Sequence, residues 1–294
     1  MEPKKKQIYG LIGYPIKHSF SAAMHNAAFT YLGMNAAYKL FEINPQELQY
    51  FFHRIIPLED IHGEIFSYDD LQGFNVTIPH KEMVLQFLNE ISPAAADIKA
   101  VNTVSVHIGS EFKGFNTDFS GFSRHITELD VNTHKVAIIG AGGAAKAVAY
   151  ALKTKKTKEI AIYDIDKQKA ESLTESVNAW DAGCMAYTVD SIEELNLYDK
   201  TLLINASPVG MGKDDPLLIT EQMLHKELFV YDLIYNPAYT KLLLLAQNKG
   251  LRCRNGLKML LYQGVLAFEH WSGIDAPLEV MFEALKGEMN KCQG

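Results

Sequence analysis

Residues Lys135 to Ala149 read KVAIIGAGGAAKAVA. A short apolar run, Lys135 to Ile139, stops at Gly140. It passes through Ala141, Gly142 and Gly143 into Ala144, Ala145 and a helix-forming stretch. Strand, glycine turn and helix in that order match G-x-G-x-x-[GA], with Ala145 in the third position. The first glycine makes the tight turn. The second lets the backbone approach a pyrophosphate, and the small third residue lets the helix pack on the strand. The helix start offers unpaired N–H groups and a positive dipole end to phosphates. The next strand, Glu159 to Tyr163, runs into Asp164, roughly twenty positions past the glycines, where an acidic residue meets the ribose hydroxyls of a dinucleotide. Two blander readings stay open: a glycine turn with only a packing role, and an Asp164 that caps the helix starting near Lys167.

Working outward, strand and helix alternate through the middle third. A helix is expected over Ala144–Leu152 and another over Lys167–Asn178, with strands near Met185–Val189, Thr201–Ile204 and Leu228–Asp232. This alternation implies an α/β, Rossmann-type, doubly wound parallel sheet. The first third also alternates. Strands are expected at Gln7–Ile12, Ala37–Ile43 and Gln72–Val76, and a helix at Ser21–Leu32. Pro79 is expected to open a helix running to about Leu88. Val101–Val106 and Glu111–Asn116 read as a strand pair turning near Gly109 and Ser110, and Phe119–Leu129 as an amphipathic helix. The last stretch reads as two helices, about Gly256–His270 and Pro277–Met289.

The net charge of -7 argues against nucleic acid as the main partner, because phosphate binding wants a basic patch. The Lys4 to Lys6 run is too short to change that. No secretory h-region and no membrane-length apolar stretch is found, so a cytoplasmic protein is expected. The three cysteines, Cys184, Cys253 and Cys292, form no CxxC pair, which fits a reducing compartment and offers no metal site. His18, His25 and His80 lack metal-ligand spacing and read as ordinary polar residues.

Polar residues cluster at the ends of the first-third strands. Tyr14 to Ser21 reads YPIKHSFS, and both Ser19 and Ser21 can face a ligand carboxylate; Ser21 can equally cap the helix that starts there. Gly73 to Lys81 reads GFNVTIPHK. Lys81 falls in the first turn of the helix expected after Pro79, where the dipole disfavours a positive charge and would suit the lysine to proton transfer; a solvated surface lysine is the alternative. Ala100 to Thr103 reads AVNT, and Gly114 to Asp118 reads GFNTD. Asp118 is either a functional carboxylate or the N-cap of the next helix.

The runs GYPIKHSFS, NVTIPHK, AVNT, NTD, GAGGAA, INASPVGM, DLIYNP and YQG resemble, in order and over essentially the whole chain, the shikimate dehydrogenase family. The resemblance implies a discontinuous substrate domain, residues 1–118 with 256–294, around a dinucleotide domain, 119–255. It implies that Lys81 and Asp118 are the catalytic pair, and that Ser19 and Ser21 hold the substrate carboxylate. Thr77, Asn102 and Gln263 would bind ring hydroxyls, and Tyr235 would lie near substrate and nicotinamide. Asn205 to Met211, with Ser207 among them, would line the cofactor cleft beside Gly140–Ala145. The implied ligands are shikimate, 3-dehydroshikimate and possible quinate with NAD or NADP, without a metal, in a monomer or homodimer.

Three positions depart from the family pattern. Ala22 stands where proline usually comes after the second serine, and Lys146 where arginine is common after the glycine loop. The run Tyr163, Asp164, Ile165, Asp166 replaces the Asn-Arg-Thr of NADP-using members. The last of these points to NAD over NADP. Rival readings are a main activity on quinate, a methylene-tetrahydrofolate dehydrogenase, and a catalytically silent nucleotide-binding regulator. The serine run and the NTD motif speak against the second. Retained Lys81 and Asp118 speak against the third.

Overall fold

The computed structural model describes residues 5–107, 111–180 and 183–291. The turn expected at Gly109 and Ser110 lies outside the described residues, as do Lys4 and Cys292. The chain divides into two compact units, one reaching Thr117 and including Gln263–Lys291, the other spanning Asp118–Tyr262.

In the first unit the elements are β1 (Gln7–Gly13), α1 (Ser21–Tyr31), β2 (Ala36–Glu42), α2 (Leu48–Phe52), β3 (Leu58–Glu59), β4 (Ile65–Phe66), β5 (Leu71–Val76), β6 (Glu90–Ile91), α3 (Pro93–Ile98), β7 (Thr103–His107) and β8 (Glu111–Phe115). Six strands form one mixed sheet in the order β2-β1-β5-β7-β8-β6. β1 runs parallel to both β2 and β5. It is buried at six consecutive positions after Gln7, as expected of a strand covered on both faces. One face buries Phe41, Phe51, Phe74 and Phe112. His25, Phe29, Tyr38 and Trp271 form an aromatic cluster. His25 is therefore no ordinary polar residue. It is fully buried, stacks on Tyr38 at 4.4 Å, and is pushed down to about 3 by burial.

The helix expected from Pro79 to Leu88 does not form. The Lys81 carbonyl accepts the Val101 N–H (2.8 Å), so it is committed to a neighbouring segment rather than to a helical ladder. The segment is instead a turn, closed by the His80 N–H on the Thr77 carbonyl (2.9 Å), and a short 3-10 stretch, Met83–Phe87.

The second unit contains α4 (Asp118–Glu128), β9 (Lys135–Ile139), α5 (Gly143–Lys153), β10 (Glu159–Tyr163), α6 (Lys167–Trp180), β11 (Met185–Thr188), β12 (Leu202–Asn205), β13 (Phe229–Asp232), α7 (Lys241–Asn248) and β14 (Cys253–Arg254). Its six strands are all parallel, in the order β11-β10-β9-β12-β13-β14. Counted from β9, that is the 3-2-1-4-5-6 order of a doubly wound dinucleotide fold, whose strand order reverses between β9 and β12. Apolar β9 and β12 bury Val136, Ile138, Leu202 and Ile204 against Ala145, Val148 and Leu152 of α5. Helix α8 (Leu257–Ser272) crosses the second junction unbroken, and α9 (Leu278–Lys291) comes next and packs on α1. The boundary between the two compact units falls inside α8, between Tyr262 and Gln263.

Candidate active site

In the first unit, polar side chains converge where β5 and β8 end and β7 begins. Asn102 is buried, and its Oδ1 accepts the Thr117 N–H at 2.7 Å. Its Nδ2 donates to Thr117 Oγ1 (3.0 Å) and to Gln263 Oε1 (3.3 Å). Beneath it, Asn75 Nδ2 donates to the Asn102 carbonyl and to Thr103 Oγ1, both at 3.0 Å. Tyr38 Oη closes the far end on Asn75 Oδ1 (2.8 Å). Every member is buried, so each amide and hydroxyl must find a partner, and the network fixes Asn102 and Gln263 before any ligand arrives. Thr117, Thr103 and Asn75 escape a reading of the sequence as contributors, although all three lie inside the quoted motifs.

Lys81 is half-buried, and its backbone carbonyl accepts the N–H of Val101, the residue before Asn102. With no α-helix opening at Pro79, the first-turn position expected for Lys81 does not exist. His80, next to it, ties the loop to the end of β2 through Nε2 and the Ile43 carbonyl (2.7 Å); burial holds its pKa below the usual histidine value against that bond. Thr77 sits at the same strand end, with its N–H on the Ile12 carbonyl (3.0 Å).

Ser21 does not cap α1. It is the first helical residue, Phe20 holds the cap position, and no side chain caps there. Ser19 Oγ accepts the Ser21 N–H instead (3.3 Å). The turn before them is tied by the Ile16 N–H to Glu42 Oε2 (3.2 Å).

The second unit begins at Asp118, which is buried and is the first residue of α4, inside the first turn rather than before it. It comes directly after Thr117. In the same unit Gly140 turns with φ +105° and lies against the backbone of Ala206 and Ser207. Gly142 is the N-cap of α5 and faces open space. Ala145 is fully buried against the sheet, the packing role expected of the third position. Gly143 opens the helix, with Ala144 next on its half-exposed rim. These features fit a dinucleotide: a tight turn, an unobstructed loop backbone and a helix start aimed at phosphate.

Asp164 does not cap α6. Its Oδ2 accepts the Ala141 N–H (2.7 Å) and its Oδ1 the Asp166 N–H (2.8 Å). It is Asp166 that reaches the Lys169 N–H at the head of α6 (3.3 Å). Asp164 is thus bolted to the glycine loop at the end of β10.

Asn205, expected to line the cofactor cleft, is fully buried and committed internally. Its Oδ1 accepts both the N–H and the hydroxyl of Ser207 (3.1 and 2.7 Å), and its Nδ2 donates to the Val209 carbonyl and to Asp232 Oδ1. It shapes the loop from below. Ser207 is half-buried, Met211 is exposed, and Tyr235 is half-buried on the neighbouring loop. Asp232, not singled out from sequence, is fully buried and pushed up to about 6 by that burial. Among the described residues, no group of three His, Cys, Asp or Glu side chains is placed to hold a metal ion. No described helix is long and apolar enough to cross a membrane.

Comparison with known proteins agrees with this arrangement. Residues 11–104 match the shikimate dehydrogenase substrate binding domain, 122–206 the shikimate / quinate 5-dehydrogenase family, and 256–286 the shikimate 5'-dehydrogenase C-terminal domain. The shikimate dehydrogenase (NADP(+)) of Methanopyrus kandleri is 43% identical over 289 residues, 95% of this chain and 94% of that protein. The crystal structure of the Aquifex aeolicus shikimate dehydrogenase superposes with TM-score 0.84 at 34% identity, covering 97% of this chain and 100% of that one. The Listeria monocytogenes shikimate 5-dehydrogenase, solved with shikimate and NAD, gives TM-score 0.80 at 33% identity, covering 96% and 97%. With motifs, strand order and near full-length identity in agreement, the chain belongs to the shikimate dehydrogenase family.

Proposed function

We propose that the chain catalyses reversible hydride transfer between shikimate and 3-dehydroshikimate with a nicotinamide dinucleotide, as an oxidoreductase acting on a CH–OH group. The observation that carries this reading is the buried network of Asn102, Thr117 and Gln263. The Lys81 carbonyl accepts the N–H of Val101, the residue before Asn102, and Asp118 directly follows Thr117 in the chain. Such a cluster offers amides and hydroxyls to a polyhydroxylated ring, and a single-proton redox reaction needs in addition one group that gives and takes a proton.

In this reading Ser19 and Ser21 hold the substrate carboxylate, Thr77, Asn102 and Gln263 hold ring hydroxyls, and Tyr235 borders substrate and nicotinamide. The nicotinamide supplies or accepts the hydride when bound. Lys81 gives its proton to the nascent alkoxide during reduction and takes it back from the hydroxyl during oxidation. Asp118 accepts a hydrogen bond from the substrate hydroxyl and fixes the lysine. Lys81→Ala is expected to lower kcat by about 100-fold or more, the usual scale for a general acid–base group, with a smaller change in substrate affinity. A variant within a few-fold of wild type would remove Lys81 from the mechanism.

The same reading assigns NAD as the preferred cofactor. Asp164 is held at the end of β10 by two backbone N–H groups, in the position that meets the adenosine ribose. A carboxylate there accepts the 2′- and 3′-hydroxyls and opposes a 2′-phosphate. At about 5 Å and an effective dielectric of about 20, that repulsion is roughly 3 kcal/mol. Screening at a half-exposed site reduces it to about 1 kcal/mol, or roughly fivefold. Lys167 is drawn to Asp190 (2.5 Å), and Lys146, in the first turn of α5, is the other cation near the glycine loop. The Methanopyrus relative is named for NADP(+), and the Listeria structure holds NAD. Asp164→Asn is therefore the deciding variant: it should raise kcat/KM for NADP relative to NAD. If wild type already favours NADP, the assignment of Asp164 fails and Lys146 with Lys167 becomes the candidate phosphate site. A cytoplasmic setting also belongs to this reading, supported by the buried thiols of Cys184 and Cys253.

A further inference from the structure

Asp232 is a fully buried carboxyl that the reaction does not use. It ends β13, beside the end of β12, and three groups from three segments converge on it. Its Oδ1 accepts Asn205 Nδ2 from β12 (3.0 Å) and the Ile234 N–H of the adjoining loop (3.1 Å). Its Oδ2 accepts the Thr240 hydroxyl from the head of α7 (2.6 Å). Through Asn205 the carboxyl is linked to both donors of Ser207 and to the Val209 carbonyl.

Two loops leave the carboxyl ends of these strands, 206–211 and 233–240. They touch at Gly210, which has φ +116°. A Cβ added there would stand 3.3 Å from Ile234 Cδ1 and from the Thr240 side chain. The outer side of the first loop is pinned separately by Asp215, whose Oδ2 accepts the N–H groups of Gly210 (2.7 Å) and Gly212 (2.9 Å). Lys241, next to Thr240, donates to the Asp215 carbonyl (2.6 Å). The inner edge of the same loop lies on Gly140 of the glycine turn. In a doubly wound sheet these second-half loops face the nicotinamide half of a dinucleotide.

We propose that Asp232 is a positioning residue that locks the 206–211 and 233–240 loops into one rim and thereby sets affinity for the nicotinamide half of the cofactor. The proposal rests on the dinucleotide-dependent reading above. Asp232 touches neither ligand and acts through Asn205 and Thr240. Satisfying three donors at one buried carboxyl makes the rim rigid, and losing that acceptor leaves buried donors unpaired in both loops at once.

The test is a graded series, Asp232→Asn, Asp232→Ala and Thr240→Val, assayed in the full chain with shikimate and NAD. Asparagine keeps one acceptor oxygen for Asn205 and Ile234; alanine keeps none. The expected result is a rise in NAD KM of roughly threefold to tenfold for asparagine and thirtyfold or more for alanine. Shikimate KM at saturating NAD should rise clearly less than NAD KM, because Tyr235 is the one residue of the rim that borders the substrate in the reading above. Thr240→Val, which keeps shape but removes the bond to Asp232 and the Leu243 N–H cap of α7 (3.3 Å), should raise NAD KM at least as much as asparagine. A purely structural role would reduce the active fraction and so kcat, with NAD KM unchanged, and that outcome would overturn the proposal. So would equal rises in both KM values. Should the alanine variant fail to fold, the asparagine and Thr240→Val arms decide by the same criteria. Titration of wild type with NAD and NADP, monitored by fluorescence, separates the two levels. Absence of dinucleotide binding in wild type overturns the underlying reading and this proposal with it. Binding in wild type with unchanged NAD KM in the variants overturns this proposal alone.

Discussion

Gly140→Ala tests the cofactor loop at its tightest point. The residue has φ +105°, a conformation L side chains rarely adopt, and forcing one into it costs about 1–3 kcal/mol. The added Cβ would stand 2.8 Å from the Ala206 carbonyl carbon and the Ser207 nitrogen, and 2.9 Å from the Ala206 oxygen. All three are backbone atoms, so no side chain can swing aside. Ala206 is held by its N–H on the Ile139 carbonyl (2.7 Å), and Ser207 by its N–H on Asn205 Oδ1 (3.1 Å). Relief therefore means moving a hydrogen-bonded segment, and overpacking of this kind costs about 1–3 kcal/mol more. The expected sum is about 2–6 kcal/mol, measured by urea unfolding at neutral pH. Any folded variant should also bind NAD at least tenfold more weakly by fluorescence titration. Gly142→Ala is the internal contrast. Its φ is -73° and a Cβ there meets nothing within 4 Å, so stability should stay within about 0.5 kcal/mol while NAD affinity falls, because the new methyl group blocks the approach of the pyrophosphate. A Gly140→Ala protein as stable as wild type, with unchanged NAD affinity, would refute the reasoning.

Three further outcomes are expected. Replacing both Ser19 and Ser21 with alanine should raise shikimate KM by roughly tenfold or more, since hydrogen bonds to a charged group contribute about 1.5–3 kcal/mol; an unchanged KM would reduce them to residues that start α1. Asp118→Asn should lower kcat by about 100-fold, and a near-normal kcat would exclude it from proton management. His25 is held neutral, its pKa pushed by burial from 6.5 down to about 3. The unfolded chain takes up that proton first, so stability present above about pH 6.5 is lost as pH falls, by up to about 1.4 kcal/mol per unit. His25→Phe should therefore lose about 2 kcal/mol less than wild type between about pH 6.5 and pH 5 in urea unfolding, and parallel losses would contradict this.

The parallel sheet of the second unit was legible because its signals are local. An apolar strand, glycines with fixed duties and a helix of alanines all lie between Lys135 and Lys153, and each has its own physical reason. Lys81 shows the opposite case. Proline is a good helix opener, yet the Lys81 carbonyl is taken by Val101, far along the chain, and no local pattern announces that bond. Ser21 and Asp164 were each open to a capping role, and in both cases a neighbour decided otherwise. His25 looked like any polar residue because its surroundings, Tyr38, Phe29 and Trp271, come from β2, α1 itself and the far end of the sequence. Asn205 was recognised by motif, but its bonding partners were not legible. Its motif position is next to the cleft, while its hydrogen-bonding capacity is spent on the loop and on Asp232.

The most direct measurement is the steady-state matrix of shikimate and quinate against NAD and NADP. Shikimate with NAD should give the highest kcat/KM. On the proposed reading the serine pair would suit the flatter carboxylate end of shikimate, whereas quinate adds a hydroxyl on that carbon and a puckered ring, and Asp164 would oppose a 2′-phosphate. A higher value for quinate or for NADP would overturn the corresponding assignment. Absence of shikimate oxidation with either cofactor would contradict the account at its centre.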